Sequence, residues 1–243
     1  MYDLINHKST ALPFENRKNI RRIAVSPDGR MLISIDIEGN SIFFNMARRL
    51  VLLHFNFKRK VYDIAFSPDS TMFAITFGRG CQIWRCPNTK LEFCPLTLLL
   101  NTSGLNDDVI CLDWSTDSNS IMMGSKDLTA RIYTNVKSKK LRMTALTGHR
   151  DKILNVFFSQ EGTSAFTVAR NGAVITYDFS AATEEKTDNE DNAGNIHVKF
   201  RCRERVRLVH PFLVSCTMPL LSDMLHLIML ILIVKVSFRD LEK

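Results

Sequence analysis

Six-residue stretches in which apolar residues alternate with polar or small ones recur four times along the chain. Each ends at a serine: Ile20 to Val25, Val61 to Phe66, Val109 to Trp114 and Ile153 to Phe158. Period-two alternation predicts a strand with one face buried. The pairs that set the period are Ile23 and Val25, Ile64 and Phe66, Leu112 and Trp114, and Val156 and Phe158. The serine opens a turn-forming segment: Ser26-Pro27-Asp28-Gly29, Ser67-Pro68-Asp69-Ser70, Ser115-Thr116-Asp117-Ser118 and Ser159-Gln160-Glu161-Gly162. Proline presets φ, glycine accepts positive φ, and Asp or Ser side chains bond the nearby backbone, so each segment predicts a tight turn. A second strand follows each turn, from Met31 to Ile35, Met72 to Phe77, Ser120 to Gly124 and Ser164 to Val168. After a further turn (Glu38-Gly39, Arg79-Gly80, Asp127-Leu128 or Asn171-Gly172), a third strand ends on an aromatic residue: Phe44, Trp84, Tyr133 or Tyr177.

The four serines stand 41, 48 and 44 residues apart. A strand-rich repeat of that period is the signature of WD-type β-propeller blades. In that repeat class the aromatic is usually followed by Asp, and here only Tyr177-Asp178 comes close to it. Tyr2-Asp3 stands 42 residues before Phe44 and extends the aromatic series backward. The chain therefore reads as starting at the end of a third strand, with an outer strand from about Ser9 to Pro13. The predicted fold is all-β: an incomplete WD40-type propeller of one partial blade and four further blades over residues 1–180. Propellers close 4–8 blades into a ring, so the chain reads as a fragment, or a truncated gene model, of a larger propeller protein. Gly148-His149 precedes the fourth copy, and in this repeat class such a histidine bonds a strand Ser or Thr, a turn Asp and the aromatic, a network weakened here by Asn171 in the Asp slot. Thr167, Asn171 and Tyr177 hold those slots, which assigns His149 a structural role. The second copy has Asn56-Phe57 at that place.

Hydrophobic residues make up 45% of the chain and charged residues 23%, which places it among globular proteins. Its net charge of +7 permits an acidic partner such as RNA. The candidate surface for RNA or a protein partner is made of two loop clusters, Lys58-Arg59-Lys60 and Lys137 with Lys139 and Lys140, because clustered cations attract phosphate. The six cysteines lack C-x-x-C spacing and do not cluster with histidine, so they read as free thiols, several of them buried, with no metal site. The first residues carry no apolar core and so no secretory signal, which fits a cytosolic or nuclear protein. The six histidines lack acid or nucleophile partners at recognised spacing, and no nucleotide-loop or hydrolase motif is present. No catalytic residue, cofactor or small-molecule substrate is predicted.

After Asp178 the repeat grammar stops. Residues 181–195 read as an acidic linker or loop. Residues 196–243 read as a basic and then apolar tail outside the propeller. Its Lys199, Arg201, Arg203, Arg205 and Arg207 alternate with Phe200, Cys202 and Val206, as an exposed edge strand or a nucleic-acid contact would. From Leu208 to Val236 the sequence is apolar but interrupted. Its unbroken core, Leu227 to Val234, is eight residues, too short for a membrane span. This segment reads as foreign to the propeller, as read-through from a misassigned exon would be.

The copies resemble one family beyond WD repeats in general, the periodic tryptophan protein 2 family. The segments that carry the resemblance are STALPFENRKNIRRIAVSPDGR, VLLHFNFKRKVYDIAFSPDS and VICLDWSTDSNSIMMGSKDLTARIY followed by LTGHRDKI. The run from Leu53 to Lys58 and the strand Cys111-Leu112-Asp113-Trp114 are its more specific pieces. The resemblance spans residues 2–180. It implies part of the first of two consecutive propellers in a large nucleolar protein with a helical C-terminal region. It further implies a scaffold in the small-subunit processome, working on pre-ribosomal RNA with a small nucleolar RNA and other WD-repeat proteins. A WD-repeat adaptor unconnected with RNA has the same repeat grammar.

Overall fold

Alternation and tight turns together make meanders: each predicted first strand opens a four-stranded antiparallel sheet whose strands follow in chain order. The computed structural model describes residues 2–3, 5–88, 95–138, 141–179 and 200–207, the first and last of these by backbone alone. All of them lie within one compact unit, residues 1–208. A two-stranded sheet comes first, β1 (Tyr2–Asp3) against β2 (Lys8–Ser9). The first full blade is β3 (Ile20–Val25), β4 (Met31–Asp36), β5 (Asn40–Asn45) and β6 (Leu50–Asn56). The second is β7 (Val61–Phe66), β8 (Met72–Phe77), β9 (Gly80–Arg85) and β10 (Thr97–Thr102). The third is β11 (Val109–Trp114), β12 (Ile121–Ser125), β13 (Ala130–Thr134) and β14 (Arg142–Leu146). The fourth is β15 (Ile153–Phe158), β16 (Ser164–Ala169), β17 (Ala173–Phe179) and β18 (Phe200–Arg207). The fold is a partial WD-type propeller, two strands of one blade followed by four blades.

Three features differ from the sequence expectation. The outer strand of the partial blade is Lys8–Ser9, where Ser9 to Pro13 was expected, because Tyr2 pairs with Ser9 across a short turn. The second strand of the third blade runs Ile121–Ser125, one residue later than expected, since Ser120 instead bonds Ser115 in the turn. The basic stretch assigned to the tail is the outer strand of the fourth blade: Phe200–Arg207 pairs antiparallel with Ala173–Phe179. The blade therefore continues past residue 180, after an insertion that separates its third and fourth strands. The expected linker and the apolar segment from Leu208 lie outside the described residues.

The first strands share an irregularity that hydropathy does not show. Their register with the second strand shifts between Ile20 and Arg22, Val61 and Asp63, Val109 and Cys111, and Ile153 and Asn155. A bulge bends its strand and re-aims the side chains beyond it. Here it recurs at one place in all four blades.

The apolar cores lie between blades. Met31, Ile33, Ile35 and Phe43 of the first blade meet Ile64, Phe66, Phe73 and Ile75 of the second. Met72, Ala74 and Ile83 of the second meet Leu112, Trp114, Ile121 and Met123 of the third. Met122, Ile132 and Leu146 of the third meet Ile153, Val156 and Ala165 of the fourth. Gly124 leaves no room for a side chain at the last interface: a β-carbon there would lie 2.5 Å from Cys111 Sγ of its own blade and 2.7 Å from Ile153 Cγ2 of the fourth. Among the described residues, the face of the first blade's first strand that carries Ile23 and Val25 is not covered in this way. Ile23 and Val25 are 57% and 51% exposed, whereas Ile64 and Phe66 at the same positions of the second blade are each 7% exposed. The rest of that face is covered by the chain itself, where Phe14 packs on Phe44 (5.1 Å between centroids) and Asn16 Nδ2 donates to Ser34 Oγ at 2.6 Å.

Candidate nucleic-acid interface

The four meanders have two ends. One carries the Ser-x-Asp turns; the other carries the loops that lead into each first strand and out of each second strand. The turn end is built from hydrogen bonds that repeat residue for residue. Ser26 Oγ donates to Asp28 Oδ1 at 2.5 Å and accepts the Met31 amide at 2.9 Å, while Asp28 Oδ1 accepts the Arg30 amide at 3.1 Å. Ser67 and Asp69 repeat this at 2.6, 3.0 and 3.1 Å, and Thr71 Oγ1 adds a bond to Asp69. Ser115 donates to Asp117 Oδ1 and accepts the Ser120 amide at 2.9 Å. Ser159 keeps the backbone bonds of the turn, with its amide on Ser164 O at 2.9 Å. Burial raises the Asp69 carboxyl, but bonds from Ser67, Thr71 and Lys137 outweigh it and hold the pKa at about 2.

Lys137, one of the candidate RNA-contacting residues, belongs to this end and is engaged there. Its Nζ lies 3.1 Å from Asp69 Oδ2 and donates to Asp117 O at 2.9 Å, so it ties the third blade to the second. Lys139 and Lys140 lie outside the described residues.

The second candidate cluster, Lys58-Arg59-Lys60, is exposed at the loop end. Lys58 has a φ of 56°, and its amide donates to Asn56 Oδ1 at 2.5 Å, which turns the chain out of β6. The loop closes against the 38–39 turn, where a β-carbon on Gly39 would stand 2.2 Å from the Arg59 carbonyl oxygen. Arg59 lies over the Phe77 ring, 4.9 Å from its centroid. Three more cations converge on Tyr62, with Arg21 at 5.0, Lys126 at 5.4 and Lys60 at 5.5 Å. Cations over aromatic faces are held by the ring quadrupole, at about 0.5–1 kcal/mol each when exposed. The Tyr62 hydroxyl donates to Asp108 Oδ2 at 2.9 Å, and Lys126 Nζ pairs with the same oxygen at 2.7 Å. Arg21, Lys58, Arg59, Lys60 and Arg79 take part in none of the ion pairs among the described residues. Burial, and next the charge of Arg22, pull the Arg21 guanidinium below its ordinary pKa. Sequence reasoning found the loop triad but not Arg21, Arg79 or Lys126; only the fold brings them to it.

Between the two ends, half-buried carboxylates join neighbouring first strands. Asp63 accepts Arg22 Nε at 3.2 Å from the first blade and the Leu112 amide at 3.1 Å from the third. Asp113 accepts the Phe158 amide of the fourth blade at 2.7 Å. Burial raises both carboxyls, that of Asp113 to about 6.

The aromatic series is structural. Trp84 packs edge-on against Phe55 and Phe57 at 5.6 and 5.9 Å, joining the third strand of the second blade to the end of β6 and the residue after it. Phe44, Tyr133 and Tyr177 are buried. Asp178 accepts Ser164 Oγ at 3.1 Å. His149 is buried with Nε2 2.6 Å from Thr167 Oγ1. Tyr177 donates to Thr147 O at 3.0 Å and Asn171 Oδ1 accepts the Ala173 amide at 3.1 Å. Cys81, Cys86 and Cys111 are free thiols, and burial pushes that of Cys86 up to about 12. Among the described residues no group of three or more His, Cys, Asp or Glu side chains is placed to hold a metal ion.

Comparison with known proteins agrees with this architecture. The family model "WD domain, G-beta repeat" matches residues 97–134, from the outer strand of the second blade to the third strand of the third. Periodic tryptophan protein 2 of Saccharomyces cerevisiae is 40% identical over 195 residues, 79% of this chain and 21% of that protein. The homologue of Schizosaccharomyces pombe is 38% identical over 204 residues, 82% of this chain and 24% of that protein. The homologue of Neurospora crassa is 37% identical over 206 residues, 81% of this chain and 23% of that protein. The aligned part therefore amounts to less than a quarter of each relative's length. With its WD repeat, its four blades and this level of identity over most of its length, the chain belongs to the periodic tryptophan protein 2 family.

Proposed function

We propose that this chain is a non-catalytic scaffold of ribosome biogenesis, part of the nucleolar small-subunit processome, where it holds pre-ribosomal or small nucleolar RNA beside other WD-repeat proteins. The observation that supports the reading most is the 40% identity to periodic tryptophan protein 2 over 79% of the chain. The physical form suits the role. Rigid meanders hold loops at two ends, and such loops are where binding residues concentrate. The loop end adds five cations outside any ion pair among the described residues, a favourable surface for phosphate.

The test is affinity purification of the tagged chain from growing cells, with sedimentation of the complexes and sequencing of the bound RNA. Large particles enriched in small-subunit precursor RNA are the expected result. A light complex of other proteins, free of that RNA both for this chain and for a full-length relative, would replace the reading with a WD-repeat adaptor unconnected with RNA.

A further inference from the structure

We propose that the cleft between Arg59 and Arg79 at the loop end of the second blade is a seat for one nucleotide of single-stranded RNA. Lys60 and Arg79 hold a phosphate there, and the outer face of Arg59 stacks on a base. The assignment rests on the scaffold reading for the kind of nucleic acid; the chemistry of the cleft stands on its own residues.

The cleft has a volume of about 450 Å³ and is lined by Arg59, Lys60, Tyr62, Phe77, Arg79 and Ser103, together with Gly78 and Gly80. That lies within the ~300–1,000 Å³ of small-ligand sites, enough for a nucleotide and too little for a duplex. Arg59 is exposed, and its guanidinium carbon stands over the ring of Phe77, itself 8% exposed. The side turned away from the ring offers a flat, charged platform, and unstacked RNA bases settle on such guanidinium planes. The walls are pinned by backbone. Gly39 admits the Arg59 carbonyl, and a β-carbon on Gly80 would stand 2.2 Å from Thr102 O.

The charge balance favours a polyanion. Arg21, Arg59, Lys60 and Arg79 take part in none of the ion pairs among the described residues; Lys60 is drawn to Asp108 only at longer range, and Asp108 is already taken by Lys126 and the Tyr62 hydroxyl. Arg21 Nε is buried and makes no hydrogen bond among the described residues, so the patch is short of acceptors. An acidic protein partner is the weaker fit. Protein interfaces centre on apolar anchors in desolvated pockets. Here the Phe77 face is capped by Arg59, and Tyr62 has Arg21, Lys60 and Lys126 over it. What remains on offer is planar cation and point charge, which answers a base and a phosphodiester.

The experiment uses the full chain and labelled single-stranded oligouridylate, by filter binding across a salt series and by ultraviolet cross-linking. Arg59→Glu with Arg79→Glu is compared with Arg48→Glu with Arg49→Glu, the same charge change at exposed residues of the turn end. The cleft pair should lower affinity at least about tenfold and flatten the slope of log affinity against log salt by about 0.7, for the one phosphate contact that Arg79 makes. The turn-end pair should change affinity less than about threefold. Arg59→Lys keeps the charge and loses the platform, and should weaken binding about fivefold or more. Circular dichroism and soluble yield matching the parent show that each variant folds. Equal losses from both pairs, unchanged binding by the cleft pair, duplex RNA bound as tightly as single strands, or equal competition by polyglutamate would each overturn the site. In cells, particle association with RNA cross-links unchanged by the cleft pair would remove the site and leave the scaffold reading. Cleft-dependent binding of oligouridylate without particle association would do the reverse.

Discussion

The Ser70 hydroxyl accepts the backbone N–H of Asp28 at 3.2 Å, and that bond crosses from the second blade to the first. Ser118 repeats it toward Asp69 at 3.1 Å. Both serines hold the turn position that glycine holds at Gly29 and Gly162, with φ of 57° against 68° and 72°. A side chain in that left-handed conformation is strained by about 1–2 kcal/mol, and the hydrogen bond offsets it. Alanine at Ser70 keeps the strain and loses the bond; glycine loses both. We expect Ser70→Ala to destabilise by about 1–2 kcal/mol and Ser70→Gly to be nearly neutral. Urea denaturation of the two variants checks this, and Ala matching or exceeding Gly in stability would refute the account.

Serine at the first turn position has a different weight. Ser67 is fully buried, and its hydroxyl both donates to Asp69 and accepts the Met72 amide. Ser67→Ala takes from that amide its hydroxyl acceptor and from the Asp69 carboxylate one of its donors, at a cost of about 2–3 kcal/mol. The fourth turn has Glu161 where the others have Asp, and Ser159 is half-exposed. There the same substitution should cost about 1 kcal/mol or less. Comparable losses at the two serines, in the same denaturation experiment, would show that the Ser-x-Asp bond is not what stabilises these turns.

Much of this fold was legible because the repeat states it four times. All four first strands run as predicted, since period-two alternation ends at a polar turn in each copy. The fourth strand of the last blade was not legible as such, because an acidic insertion separates Phe200–Arg207 from Phe179 and local pattern cannot say what a distant strand pairs with. The loop triad Lys58-Arg59-Lys60 was legible as charge. Its neighbours Arg21, Arg79 and Lys126 come from three other loops and strand starts, and only blade packing around Tyr62 and Phe77 unites them. Lys137 looked equivalent to that triad in sequence, yet Asp69 on the adjacent blade engages it.

Asp113 makes stability depend on pH in a definite window. Its folded pKa is raised to about 6 by burial, against about 3.9 for an unfolded aspartate. Between these values the folded state holds the proton and the unfolded state has lost it. Stability from this group is therefore full below about pH 4, falls as pH rises to about 6, and is flat above. Two pK units correspond to about 3 kcal/mol at most. Asp113→Asn keeps an oxygen for the Phe158 amide and removes the charge, so its stability should not fall between pH 4 and 6 from this cause. Asp69 acts in a lower window, since its carboxyl at about 2 adds stability as pH rises toward 4. Urea midpoints across pH for parent and variant decide the matter; parallel curves from pH 4 to 6 would exclude Asp113 as the source.

The last prediction concerns the first strand of the first blade. Ile20, Ile23 and Val25 are each about half exposed, in a register where Ile64 and Phe66 of the next blade are buried against a neighbour. Contiguous apolar surface of this kind drives association, and the β3 face has the alternation of a surface shaped for another blade. The chain by itself should self-associate as its concentration rises. Ile23→Glu puts a charge at the centre of the patch, and an exposed site costs little folding stability, within about 0.5 kcal/mol. Sedimentation velocity at several concentrations should show the parent shifting to larger species and the variant remaining a monomer at the same loading. If the variant associates as readily as the parent, the contact lies elsewhere on the chain. If neither associates, Ile23 and Val25 are tolerated in water and the face needs no partner.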